Sequence, residues 1–378
     1  MDNNLQALMQ TPRLVEIAIT SRCNLRCKYC SHFSSFDKEN EEEIATDEWI
    51  RFFEELGRNS VMSVVLTGGE PFIRSDLQEI IQGIVKNRMR FCILSNGTLI
   101  TDKIAKMIAS TGRCDYIQVS LDGATAESHD ACCGSGSFAK ALKGLHILRS
   151  HNIPVIGRVT LHRYNVNELE QIAHFLLDDL NLDSFGINSA SYFGLCRQNK
   201  TDICLSNKDR TDAMATLLEL SKQYPGRIGA AAGPLAEVNS FIKMEGAYRS
   251  QQAPFNDGGY LTACGCIWST CAVNSNGTII PCILLPHLAL GKINRDEIKT
   301  VWNSHPILTA MRQRFNISLK SFKFCEGCNY LEYCTGNCPA LTYTITGILD
   351  HPCPDTCFRK FLADGGKIPI FERSVTEK

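Results

Sequence analysis

From Leu14 onward, short apolar runs alternate with longer stretches whose apolar residues recur at helical spacing. This pattern predicts strands near residues 14–20, 61–66, 90–95, 115–121, 153–160 and 184–188. It predicts helices near 47–57, 75–87, 101–110, 137–150 and 167–179. Thr46-Asp47-Glu48 and Thr101-Asp102 read as helix starts, with a capping hydroxyl and acids in the first turn. Strand and helix in regular alternation predict successive βα units and a parallel α/β sheet, but six units do not close an eight-stranded barrel. Between 191 and 260 the alternation lapses: 207–222 reads as a helix, and Gly226 to Gly233, flanked by Pro225 and Pro234, as punctuation.

A chain of 378 residues is long enough for two domains. A net charge of -1 and a 44% hydrophobic fraction point to neither nucleic acid nor an acidic surface as partner. The opening Met-Asp-Asn-Asn-Leu lacks a signal peptide's basic and apolar regions, and no run of eighteen apolar residues could span a membrane, so a soluble, cytoplasmic protein is expected. Nineteen cysteines change the picture, because their spacing is that of metal sites in a reducing compartment and not of a disulfide framework. Three lie within 23–30 and ten between 264 and 357. Cys92, Cys114, Cys132, Cys133, Cys196 and Cys204 are scattered and read as small core residues, the adjacent pair Cys132-Cys133 being the one with a possible role.

Cys23, Cys27 and Cys30 directly follow the first predicted strand. On a helix they would share one face and serve as core, but Arg22, Arg26 and Lys28 interleave them, and cationic neighbours lower a thiol's pKa. A closed zinc site wants four protein ligands, whereas a four-iron cluster on three thiolates keeps one iron open for a substrate or cofactor. The Cys-x3-Cys-x2-Cys spacing, followed by Gly68-Gly69-Glu70-Pro71 after an apolar run, resembles the radical S-adenosylmethionine (SAM) superfamily. The resemblance implies a partial (β/α)6 barrel, SAM chelated at the open iron, and its reductive cleavage to a 5′-deoxyadenosyl radical. It also implies a cofactor pocket at the carboxyl ends of the strands. Gly68, Gly69 and Glu70 would meet the SAM amine, Ser95, Ser120 and Arg158 would hold ribose or carboxylate, and Tyr29 would pack near adenine. Asp122, His162 and Tyr192 are candidate bases at the barrel mouth, and His32 a candidate SAM contact.

Cys325-x2-Cys328-x5-Cys334-x3-Cys338, with Gly277-x4-Cys282 upstream and Cys357 closing, resembles the SPASM domain that binds auxiliary iron-sulfur clusters. The resemblance implies two closed four-iron sites and thus three [4Fe-4S] clusters in all. The first would take Cys264 or Cys266, with Cys271, Cys282 and Cys338; the second Cys325, Cys328, Cys334 and Cys357, with Cys353 competing for the last place. Zinc is the alternative metal for the 325–338 run. The expected layout is a partial barrel over 1–190, a bridge over 191–260, the cysteine-rich domain over 261–362 and a tail over 363–378.

Relatives with both features mostly modify ribosomally made peptides or protein side chains by net oxidation, forming thioether or carbon-carbon crosslinks or epimerising. The expected partners are a precursor peptide, a separate leader-binding protein, and a flavodoxin or ferredoxin as reductase. Oxidation of a small molecule or a tetrapyrrole side chain is the alternative. Sulfatase maturases resemble the chain too, but carry Asp after the Gly-x4-Cys cysteine, where this chain has Ile283. A cluster-binding scaffold or sensor without turnover is the non-enzymatic reading; it has no need of an open iron or an amine pocket.

Overall fold

The computed structural model describes residues 9–32 and 43–369. β1 (Leu14–Thr20), β2 (Ser63–Gly68), β3 (Arg90–Ser95), β4 (Cys114–Ser120), β5 (Val155–Leu161) and β6 (Phe185–Ser189) pair in chain order, every pair parallel. The crossovers are α1 (Thr46–Arg58), α2 (Leu77–Lys86), α3 (Asp102–Ser110), α4 (Ala126–Cys133) with α5 (Ser137–Ser150), and α6 (Leu169–His174), which runs on through a π-helical turn to Asp179. This is the expected α/β partial barrel.

Period two sorts each strand's side chains between two faces. On β5, Val155, Gly157, Val159 and Leu161 are buried, whereas Ile156, Arg158 and Thr160 on the other face are only half-buried. Val15, Ile17 and Ile19 of β1 join one core with Trp49, Phe52, Phe53 and Leu56 of α1 and Ile80, Ile81 and Ile84 of α2. Each such side chain contributes about 1.5–3 kcal/mol through burial. The core therefore sits between sheet and helices, and the other face is left for polar groups.

The sheet continues past the six expected strands on both sides. β7 (Ile228–Gly229) extends it beyond β6, inside the stretch read from sequence as punctuation. On the opposite side β8 (Thr270–Val273) runs parallel to β1, and β9 (Thr278–Ile280) and β10 (Gly291–Lys292) follow antiparallel. An unpaired β1 edge would leave a row of amides and carbonyls without partners; β8 supplies them. The cysteine-rich segment is thus stitched into the barrel sheet. Its remaining helices are α11 (Cys266–Ser269), α12 (Ile298–Ser304), α13 (Pro306–Gln313), α14 (Pro339–Thr346) and α15 (Phe358–Ala363). Most of the expected tail, residues 370–378, lies outside the described residues.

The stretch 191–260 is largely helical, with α7 (Gly194–Gln198), α8 (Lys200–Ile203), α9 (Asn207–Gln223) and α10 (Pro234–Arg249). α9 opens on a capping box, in which the Ser206 hydroxyl accepts from the Asp209 amide at 3.1 Å and the Asp209 carboxylate accepts from the Ser206 amide at 2.9 Å. α10 starts on Pro234, which has no amide to lose in a first turn. Two expected caps differ. Thr101 accepts from the Ile104 amide at 3.5 Å, but α1 is preceded by Ala45, and the Thr46 hydroxyl is drawn away to Asp76.

Glu16 lies on the less buried face of β1, beside the Tyr116 phenol and without a hydrogen-bond or ion-pair partner among the described residues. Burial pushes its carboxyl up to about 7. The folded state therefore holds this proton more tightly than the unfolded chain, and the associated stability is lost as pH rises through 7. Glu16→Gln is expected to unfold at a higher temperature than the parent at pH 8.5, by on the order of 1–3 kcal/mol in stability, with the gap narrowing towards pH 6. Anaerobic thermal unfolding at both pH values checks this; an equal gap at both would show that Glu16 does not titrate as argued.

Candidate active site and auxiliary metal sites

The loop after β1 carries Cys23, Cys27 and Cys30, all half-buried and all lining one cavity of about 710 Å³. Its backbone is pinned from several sides. The Lys28 amide donates to the Cys132 carbonyl at 3.1 Å, the Leu195 amide to the Cys30 carbonyl at 2.9 Å, and the Asn199 carboxamide to the Lys28 carbonyl at 2.9 Å. The Cys30 amide turns back to the Cys27 carbonyl at 3.1 Å, closing the last Cys-x2-Cys pair.

The interleaved cations are engaged with other groups. Arg22 pairs with Glu43 at 3.0 Å, Arg26 donates to the Cys23 and Leu25 carbonyls, and the Lys28 ammonium lies 5.2 Å from the Tyr164 ring centre. Burial, ahead of the charges of Glu70, Cys27 and Cys30, pushes the Cys23 thiol up to about 12, against a hydrogen bond from the Leu25 amide. The positive charge needed to hold three thiolates together must come from the group they bind.

Gly68 and Gly69 line the same cavity at the end of β2. Gly68 has φ +125°, and a Cβ there would overlap the Thr20 carbonyl oxygen; one on Gly69 would overlap the Arg22 carbonyl oxygen. The turn thus fits against the cysteine loop only with glycine at both places. Glu70 is placed differently from the expected amine partner. It is fully buried and accepts from the Phe72 amide at 3.1 Å, the Ser95 hydroxyl at 2.9 Å and the Asn96 amide at 2.8 Å, while burial pushes its carboxyl up to about 7. It ties the end of β2 to the end of β3, and glycine backbone faces the cavity in its stead.

Ser95 and Ser120 line the cavity. Arg158 is the register partner of Ser120 but is not among the lining residues; its guanidinium lies beside Gly186, whose missing Cβ gives it room. Tyr29 lines the cavity with its ring, stacked 5.6 Å from His162, and buries its hydroxyl against Asp122.

The candidate bases are differently occupied. Asp122, fully buried, accepts from the Thr160 amide at 2.7 Å and from Tyr29, and its amide donates to His129 Nδ1 at 3.0 Å. Asp122, His129 and Cys133 lie close enough to hold a metal, yet hydrogen bonds already claim the carboxylate and Nδ1. His162 is fully buried, and Tyr192 lies under Lys200, 5.5 Å from its ring centre. None of the three lines the cavity, whereas His32 does, with burial holding its imidazole down at about 4. Sequence reasoning missed Asn188, Phe193 and Phe241, which also line it, and Ala231 to Gly233, which had read as punctuation.

In the cysteine-rich region, Cys325, Cys328, Cys334 and Cys357 come together, close enough that, after burial, the charges of the other three raise the Cys325 thiol, with Arg359 beside Cys325 and Cys357. Cys353 is buried apart, its amide donating to the Gly336 carbonyl at 2.9 Å. Cys264, Cys282 and Cys338 form a second group next to the buried Arg314, and Cys264 holds a positive φ of 97°, a strained backbone of the kind kept at binding sites. Cys271 lies elsewhere: at the β8 register position opposite Val15 it is buried in the sheet core, and burial alone raises its thiol. Cys266 opens α11, and its side chain lies outside the described residues.

The donors fit iron-sulfur chemistry, since two thiol groups besides the leading triad present soft ligands at metal-site spacing. Cys264 and Cys338 line the same cavity as Cys23, Cys27 and Cys30. That cavity therefore joins the leading loop, the strand ends and the cysteine-rich region in one space.

Comparison with known proteins agrees with this geometry. The radical SAM superfamily profile matches residues 17–176, and the SPASM profile, an iron-sulfur cluster-binding domain, residues 264–329. The AdoMet-dependent heme synthase of Methanosarcina barkeri is 28% identical over 345 residues, spanning 90% of this chain and 95% of that protein. The mycofactocin maturase MftC of Mycolicibacterium smegmatis is 27% identical over 352 residues, spanning 92% and 83%. The crystal structure of Streptococcus suis SuiB bound to precursor peptide SuiA shares the fold at TM-score 0.70 and 17% identity, covering 93% of this chain and 77% of that one. Iron-sulfur clusters and SAM binding follow from the two domains, the non-enzymatic reading falls away, and the chain is an enzyme built of a radical SAM domain and a SPASM domain.

Proposed function

We propose that the protein oxidatively modifies a side chain or α-carbon of a ribosomally made peptide, using the radical that its SAM cluster supplies. Cys23, Cys27 and Cys30 would hold that cluster, with Tyr29, Gly68, Gly69, Ser95 and Ser120 framing the cofactor and Glu70 and Arg158 acting from behind them. Two further clusters would sit at the Cys325, Cys328, Cys334, Cys357 group and at the Cys264, Cys282, Cys338 group, for three in all. A bound cluster supplies one electron for SAM cleavage. The chain's own residues orient the cofactor, screen the cavity from water and place the substrate beside Cys264 and Cys338, where an electron leaving the substrate has a short path.

The observation that carries the peptide reading is the lining of the cavity: no lysine or arginine is among its described residues, and its two carboxylates are Glu237, paired with Arg210 at 2.9 Å, and Asp355. A tetrapyrrole brings propionates that call for guanidinium or ammonium partners. A neutral stretch of peptide needs only small side chains and backbone, which Ala231, Ala232 and Gly233 offer. Names of relatives support both substrates: the SuiB complex the peptide, the heme synthase a tetrapyrrole. Partners on this reading are a precursor peptide, a leader-binding protein and a low-potential flavodoxin or ferredoxin, in the cytoplasm. No helix among the described residues is long and apolar enough to cross a membrane.

The deciding experiment is anaerobic turnover of reconstituted protein with SAM and dithionite, offered in parallel any short precursor peptide found encoded beside its gene and iron coproporphyrin. A peptide product lighter by two hydrogens supports the proposal. Decarboxylated porphyrin with unchanged peptide overturns it in favour of the heme-type reaction.

A further inference from the structure

Two of the cysteines that read as core from sequence stand face to face. Cys196 on α7 is fully buried, Cys204 just after α8 is half-buried, and their sulfurs are 3.6 Å apart. Bond formation needs an approach to about 2.05 Å, a further closure of about 1.5 Å. The segment between them forms a strap over the three-cysteine loop: the Asn199 carboxamide within it holds the Lys28 carbonyl, and the Leu195 amide, just before it, holds the Cys30 carbonyl. Its far end is anchored by Arg163, whose amide donates to the Ile203 carbonyl at 3.1 Å and whose guanidinium donates to the Thr201 carbonyl at 2.5 Å. Phe193, just before the strap, lines the cavity.

The geometry points to Cys196 and Cys204 as a thiol-disulfide exchange site that takes low-molecular-weight disulfides and closes an intramolecular bond across the strap. The two sulfurs differ as such a pair requires: the hydrogen bond from Cys196, with Lys200 and Arg163 nearby, lowers the Cys204 thiol, and the same hydrogen bond raises Cys196. Cys204 is also the more exposed, so it attacks first. Its thiolate displaces one thiolate from the incoming disulfide and forms a mixed disulfide at Cys204. Cys196, its proton passed to solvent, then attacks the Cys204 sulfur and expels the second thiolate. Two protein thiols are oxidised, the small disulfide is reduced to two thiols, and no other reactant is needed. Closure pulls on the strap and through it on the backbone carbonyls of Lys28 and Cys30. The exchange stands whatever the substrate proves to be.

The test uses anaerobic holoprotein incubated with oxidised glutathione, acid-quenched, alkylated and digested. A 196–204 disulfide is expected, reversible by dithiothreitol, with bound iron unchanged. Cys196→Ser should trap glutathione on Cys204, and Cys204→Ser should take up none at Cys196. SAM cleavage should fall by about tenfold to a hundredfold on oxidation, as expected for a sub-ångström shift beside the cofactor, and recover on reduction. In Cys196→Ser, which loads iron normally on this proposal, no bond can form and the strap stays open. Both cysteines alkylated while iron is retained would overturn the proposal, as would a disulfide that joins either of them to a different cysteine.

Discussion

Cys27→Ala protein, reconstituted without oxygen, is expected to form no measurable 5′-deoxyadenosine from SAM, a loss on the order of 10³-fold or more, while retaining its auxiliary iron. The reason lies in the separation of the thiol groups. Cys23, Cys27 and Cys30 sit on the loop after β1, whereas Cys325, Cys328, Cys334 and Cys357 cluster in the carboxyl-terminal region and repel one another there. Removing one thiol of the leading triad leaves two, too few to hold a four-iron cluster, and lowers bound iron by about four atoms per chain. Iron analysis beside product assay checks both halves. Continued cleavage at the parent rate would place the SAM centre elsewhere, and loss of all iron would show that the sites are not independent.

Gly68→Ala is expected to cost on the order of 10²-fold in SAM cleavage with iron content unchanged. The residue holds φ +125° and its Cα faces the Thr20 carbonyl, so a methyl group meets both backbone strain of about 1–3 kcal/mol and a steric overlap. Relief requires the turn to back away from the strand end that leads into Cys23. The control is Gly112→Ala, at φ +60° with open space around it, which carries the strain alone and should leave cleavage unchanged. Equal losses in the two variants would mean that strain, and not the close approach of turn and loop, explains the effect.

The strand and helix pattern was legible because period two and period 3.6 are local properties, and the six strands fall within a few residues of their expected places. The helix at 234–249 escaped notice for a related reason: it buries residues on several sides, among them Leu235, Phe241 and Met244, and so shows no single stripe. The cysteine spacings carried the chemistry, since four thiols that must converge on one cluster leave a mark in the chain itself.

Other matters belonged to contacts between distant segments. Charge in the sequence put Arg22, Arg26 and Lys28 beside the thiols, but each side chain found another partner first, an ion pair, a carbonyl or a ring. Glu70 reads as a ligand for an ammonium and is instead a buried tie between two strand ends, because Ser95 and the Asn96 amide reach it from β3. Cys271 has the spacing of a ligand, and pairing of β8 with β1 carries it into the core. Spacing along a chain tells which residue types are available at a turn, and that much the sequence determined here: a parallel α/β partial barrel, a three-thiol loop at the end of its first strand, and thiols in number for further clusters. Which side chains meet across the sheet, that the cysteine-rich region completes the barrel's open edge, and that Cys196 faces Cys204 were decided only by the tertiary structure, since hydrogen bonding and burial act through space between residues that no local pattern relates.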